Sequence, residues 1–282
     1  MADLGLAALF AVFIWWFSTG LILLLDGLPR GTFRWSLVVS SLLAVAALLA
    51  MAHTASRADT ASTYCAFTCA LLVWGWHELS FLTGWITGPR RVAQSPGVRG
   101  LRRLWQALQA ILWHELGIVA VGVAVVALAW NAPNPVGAWT FVVLWAMRTS
   151  AKINLFLGVR NLSEEFLPPH IAYLQSYFRR RAVNLFFPLA VSAATAALSW
   201  MVTQALEPGV APERALALTL AGTMLALGIL EHWLLVLPIP AAALWGWAMR
   251  QRRRAGLPDG AALAPVPIER RRAEDAHVAP AR

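Results

Sequence analysis

Four clusters of histidine and glutamate stand out in this chain. His77 and Glu78 are adjacent in LLVWGWHELSFLTGW (residues 71–85), His114 and Glu115 in a second apolar run, and Glu231 and His232 in a third. Glu164, Glu165 and His170 form the fourth, in a connecting segment. Carboxylates are hard oxygen ligands and imidazole suits iron, zinc, copper or manganese, so these residue types are those of a di-iron or other transition-metal centre. A metal would also supply the positive charge that lowers the cost of carboxylates in apolar surroundings. The spacing departs from the helical-bundle di-iron pattern, because none of the four clusters contains Glu-x-x-His. Neighbours on a helix also point about 100° apart, so one His-Glu pair does not aim both side chains squarely at one point.

Three other readings stay open on the same residues. Each glutamate can meet Arg148, Lys152 or a histidine across a helical bundle, as a buried ionic network. A histidine can be the axial ligand of haem iron or of the magnesium in a chlorophyll-type pigment, with Trp74, Trp76, Phe81, Trp85 and Trp113 beside a flat macrocycle. The same aromatics equally suit a packed membrane core. Finally, a chain of ionisable groups can carry protons, but the paired broken helices of transporters are missing. Cys65 and Cys69, one helical turn apart, read as two small apolar residues rather than a redox or metal pair.

The elements that position these residues are membrane spans. Of the 282 residues, 59% are hydrophobic and 13% charged, which is the balance of an all-α polytopic membrane protein. The apolar runs predict spans over residues 6–25, 35–51, 63–86, 104–130, 138–157 and 183–205. A seventh starts near Ala215 and reaches towards Met249, with a kink or break at Pro238 and Pro240. The fifth span is unusually polar, carrying Arg148, Lys152 and Asn154. Residues 1–250 thus read as a helical membrane domain, and residues 251–282 as a disordered basic tail rich in Arg, Ala and Pro. Tyr173 and Tyr177, followed by Arg179, Arg180 and Arg181, suggest an amphipathic helix lying on the membrane surface. The first span has no basic segment ahead of it and runs into Asp26, so it is expected to remain in place rather than be cleaved.

Spans three and four bring their His-Glu pairs to a common depth. Each pair lies about ten residues from the same end of its span, roughly 15 Å into a ~30 Å core. Basic residues are scattered through loops rather than gathered on one face, which excludes nucleic acid as a partner and leaves membrane lipid. Outside the spans they concentrate after spans one, three and five and in the tail, with Arg57 and Arg214 as the exceptions. The positive-inside rule then faces the C-terminus to the cytoplasm and the N-terminus away from it.

Long fragments carry a family resemblance. FAVFIWWFSTGLILLLDGLPRGTFRWS (10–36), WGWHELSFLTGWITGPRR (74–91), KINLFLGVRNLSEEFLPPHIAYLQSYF (152–178) and EHWLLVLPIPAAALWGWAM (231–249) resemble the PuhE-type photosynthetic complex assembly proteins. These are integral membrane proteins of purple photosynthetic bacteria whose genes accompany that of the reaction-centre H subunit. The resemblance implies a multi-pass protein of the bacterial inner (intracytoplasmic) membrane, with a periplasmic N-terminus. It implies a part in building the reaction centre and its light-harvesting antenna, with reaction-centre or light-harvesting subunits or pigment-synthesis enzymes as partners and a link to bacteriochlorophyll supply. No catalytic residues carry over from that family. The alternative from the residues themselves is a membrane metalloenzyme, a di-iron-type oxidoreductase acting on a hydrophobic tetrapyrrole or other pigment precursor. Its ligands would come from His77, Glu78, His114, Glu115, Glu164, Glu165, His170, Glu231 and His232.

Overall fold

The computed structural model describes residues 2–254. Seven long helices account for most of them: α1 (Ala2–Asp26), α2 (Phe33–Ala55), α3 (Thr60–Leu82), α4 (Gly100–Leu128), α5 (Val136–Leu157), α6 (Phe186–Ala205) and α7 (Pro212–Leu234). A short α8 (Gly246–Arg254) follows. Short 3₁₀ segments lie at Arg30–Thr32, Glu164–Phe166, Pro169–Tyr177 and Ala241–Trp245. Among the described residues there is no strand; one isolated bridge joins Val159 and Arg180. Six of the helices (α1–α4, α6 and α7) are long and apolar enough to cross a membrane. The protein is an all-α polytopic membrane protein. Helix α5, with 22 residues, is long enough to span a ~30 Å core, although its second half is too polar to rank with the six.

Burial sorts the helices into centre and periphery. The apolar windows of α3 and α7 are 72% and 67% buried, against 22% or less for α1, α2, α4 and α6. Helix α3 packs against α1, α2, α5 and α7, and α7 against α1, α5 and α6, so the two form the axis of the bundle. Phe67, Leu71, Leu220 and Met224 fill the contact between them. Helix α5 lies beside both and also reaches α4 and α6, which puts its polar half inside the bundle.

Three expectations are corrected in detail. The third span ends at Leu82 rather than 86, where Thr83 turns its hydroxyl back onto the Leu79 carbonyl. Residues 85–92 then run back along α4: the Thr87 carbonyl accepts from the His114 amide at 2.9 Å and the Gln109 carbonyl from the Arg90 amide at 3.3 Å. Gly88 permits this, since a Cβ there would strike the Gln109 carbonyl and the Ala110 backbone. Non-helical backbone of this kind is tolerated only against protein or a polar cavity.

The seventh span does not continue to Met249. Its last carbonyls are taken by Asn161, whose side chain donates to Leu234 and Leu237 and whose amide donates to Leu235. Pro238 and Pro240 cannot renew the helix, and the chain restarts only after them. Helix α8 therefore includes residues 251–254 of the expected tail, whose remainder lies outside the described residues.

The segment with Tyr173 and Tyr177 is not an amphipathic surface helix. It is a 3₁₀ turn with Ile171, Leu174 and Tyr177 buried. The Tyr177 hydroxyl donates to the Val92 carbonyl and accepts from Arg90 Nε, both at 2.9 Å. Backbone bonds between Val159 and residues 179 and 181 tie the arginine run to the end of α5.

Candidate functional site

The polar half of α5 organises the site. Arg148 and Lys152 are one turn apart and so share a face. The Arg148 guanidinium grips Glu78 of α3 with two bonds, Nε to Oε1 at 3.2 Å and Nη2 to Oε2 at 3.0 Å. Lys152 Nζ donates to Glu115 Oε1 of α4 at 2.5 Å. Both glutamates thus turn to α5, and the rotation between successive helical positions sends the preceding histidines elsewhere. His77 and His114 face each other between α3 and α4, with ring centroids 6.3 Å apart and planes at 78°. They are 2% and 1% exposed, and His77 Nε2 and His114 Nδ1 have no hydrogen-bond partner. Phe81 packs on the His114 ring at 4.5 Å and Trp76 on the His77 ring at 4.9 Å.

The third pair goes to other partners. Glu231 Oε1 accepts from the indole of Trp15 on α1 at 3.0 Å. His232 Nδ1 lies 2.8 Å from the Gly228 carbonyl, which only accepts, so Nδ1 carries the proton. In the neutral ring Nε2 then accepts from the Ser150 hydroxyl of α5, also at 2.8 Å. Both nitrogens of His232 are satisfied, and the residue is a buried link between α5 and α7.

The fourth cluster stays apart. Glu164 forms a long, largely exposed pair with Arg180 at 3.5 Å. His170 Nε2 donates to the Leu82 carbonyl at 2.8 Å, at the end of α3 and away from His77. The proline pair at 168 and 169 does turn the connection back onto the bundle, but it docks at the mouth of α3. Among the described residues, no three of His, Cys, Asp and Glu gather as they would around a metal ion. The structure therefore brings together His77, Glu78, His114 and Glu115 with Arg148 and Lys152. It leaves Glu164, Glu165, His170 and His232 outside that group, whereas Glu231, hydrogen-bonded to Trp15, lies close enough to feel the charges of Arg148 and Glu78.

Two side chains with long-range polar bonds escape a reading of the sequence. Arg103, which counts there among the loop charges, is 6% exposed. It donates to the carbonyls of Phe156 and Tyr177 at 3.0 and 2.6 Å, with its guanidinium 3.8 Å over the Phe156 ring. Trp15 reads as one of many tryptophans, and nothing local to it announces Glu231, 216 positions away. Asn154 stands out in the sequence as a polar residue of the fifth span, whereas nothing local marks Asn184. Asn184 donates to Asn154 Oδ1 at 3.0 Å and accepts from the amides of Phe186 and Phe187, so it starts α6 from the end of α5.

Fold and site together define a multi-pass α-helical membrane protein with an ionic layer within its bundle, built by α3 and α4 on the polar half of α5. The chain belongs to the family described as a protein of unknown function (DUF3623), which matches residues 1–256. A relative from Rhodobacter capsulatus is described as an uncharacterized 30.4 kDa protein in the puhA 5' region. It is 37% identical over 251 residues, covering 86% of this chain and 90% of the relative. That description agrees, at the level of the gene region, with the resemblance carried by the long sequence fragments. No solved structure matches the chain.

Proposed function

We propose that the protein is a non-enzymatic assembly factor of the PuhE type for the photosynthetic reaction centre and light-harvesting complex. In this reading it resides in the bacterial inner (intracytoplasmic) membrane. It binds reaction-centre or light-harvesting subunits, or the enzymes that make their pigment, and so couples assembly to bacteriochlorophyll supply. The process is suggested by the relative's position beside puhA. The non-enzymatic character rests on one observation: Glu78 and Glu115 are engaged by Arg148 and Lys152. Carboxylates held by guanidinium and ammonium groups stabilise a helical packing and are not available as ligands or bases.

A metalloenzyme is the second reading, favoured by the facing imidazoles of His77 and His114 with their unpartnered nitrogens. A di-iron centre does not fit the residues present, because its carboxylate ligands would have to leave Arg148 and Lys152. Elemental analysis and an absorption spectrum of the purified protein separate the two. The assembly reading expects no stoichiometric transition metal, and one metal or more per chain, lost in His77→Ala, would overturn it. Deleting the gene in its host should lower the reaction-centre and antenna absorption bands of isolated membranes, and unchanged bands would remove the proposed role.

A further inference from the structure

A cavity of about 640 Å³ opens where α1 gives way to α2 and α3 ends, a size within the range of small-ligand sites. Arg30, Arg34, Arg91, Thr87, Tyr173 and His170 line it, with Arg91 Nη2 donating to the Trp85 carbonyl at 3.3 Å on the same wall, and no acidic residue lines it. Thr87 is 1% exposed, and neither its Oγ1 nor the Tyr173 hydroxyl has a hydrogen-bond partner. Buried hydroxyls are nearly always matched, so two orphans on one cavity wall point to a missing acceptor. The wall around them is fixed. Thr87 is held through its carbonyl by the His114 amide, and His170 through Nε2 by the Leu82 carbonyl. Gly84, with φ +78°, passes so close to His170 that an added Cβ would lie 3.0 Å from its ring.

We propose that this cavity binds a phosphate group carried by an anionic ligand. Guanidinium forks match phosphate oxygens in geometry and charge, and hydroxyl donors complete the shell. None of the carboxylates of the ionic layer takes part, so the site stands independently of the assembly role. A membrane lipid headgroup and a soluble phosphate ester present the same chemistry. The surroundings favour the lipid. Trp85 on the wall is 61% exposed, and Trp35, whose ring lies 5.4 Å from the Arg34 guanidinium carbon, is 63% exposed. Exposed tryptophans of this kind sit at headgroup level.

The test uses the full chain purified in an uncharged detergent. Binding is read by native mass spectrometry and by the shift in thermal unfolding on adding phosphatidylglycerol, diacylglycerol, or inorganic phosphate and glycerol phosphate. Phosphatidylglycerol should be retained and diacylglycerol should not. Binding of glycerol phosphate with no preference for the lipid would support the same site with a soluble ligand. Removing two guanidinium groups in R34Q/R91Q should weaken binding by more than about tenfold, at roughly fivefold for each basic residue. T87V, which keeps the shape of the residue and drops its hydroxyl, should weaken it by about threefold. Failure of every phosphate-bearing probe to bind, or undiminished binding in both variants, would overturn the proposal.

Discussion

Glu78 lies among apolar helices because Arg148 meets it with both arms of its guanidinium, at 3.0 and 3.2 Å. Breaking such a pair leaves one charge uncompensated, whereas removing both does not. E78Q and R148Q should therefore each lower stability by on the order of 3 kcal/mol. The double variant E78Q/R148Q should lose less than the sum, as a double-mutant cycle by thermal unfolding in detergent would reveal. Glu231 should behave differently. Its carboxylate accepts from the Trp15 indole, and a glutamine oxygen accepts that bond as well, so E231Q should cost under about 1.5 kcal/mol. The pairing of Glu78 and Glu115 with Arg148 and Lys152 was within reach of the sequence. The two cations are spaced one turn apart, and each His-Glu dipeptide must split its directions. The bond from Trp15 to Glu231 was not, since only the packing of α1 on α7 brings the residues together.

At the scale of elements, the spans were legible because long apolar runs leave few alternatives, whereas their ends were not. Asn161 closes α7 and Asn184 opens α6 from distant parts of the chain, and the return of residues 85–92 along α4 depends on Gly88 having no side chain. G88A should push this segment off α4, costing about 1–3 kcal/mol, and should expose the His114 amide to faster hydrogen exchange. The start of α3 gives a pH-dependent test. Asp59 accepts from the Ser62 amide and hydroxyl at 2.8 and 2.7 Å, and these bonds hold its carboxyl below the usual aspartate value. A depressed folded value means the stabilisation is present above the ordinary pKa of about 3.9 and lost as pH falls through the lowered folded one. The difference in melting temperature between the protein and D59A should be present at pH 7 and shrink below pH 4. A constant difference would show that the cap's contribution is not electrostatic.

For the whole molecule, the arrangement of basic loops is the feature the sequence expressed most directly, and it makes a topological statement. The α2–α3 and α4–α5 connections meet at one end of the bundle, where Asn134 donates to the carbonyls of Thr54 and Ala55. The positive-inside rule predicts that this end faces away from the cytoplasm. Single cysteines introduced at residues 57 and 132 in a Cys65→Ala, Cys69→Ala background should label from outside intact cells, and one at residue 99 should not. What composition could not express is the fate of the charges inside the bundle, since the same glutamates and histidines serve a metal, a pigment or one another. The most direct test of their structural role in assembly is the near-infrared spectrum of membranes from a deletion strain carrying E78Q/R148Q. The paired neutral variant should restore the reaction-centre and antenna bands that the deletion lowers. A folded, membrane-inserted double variant that leaves those bands at the level of the deletion would contradict the account.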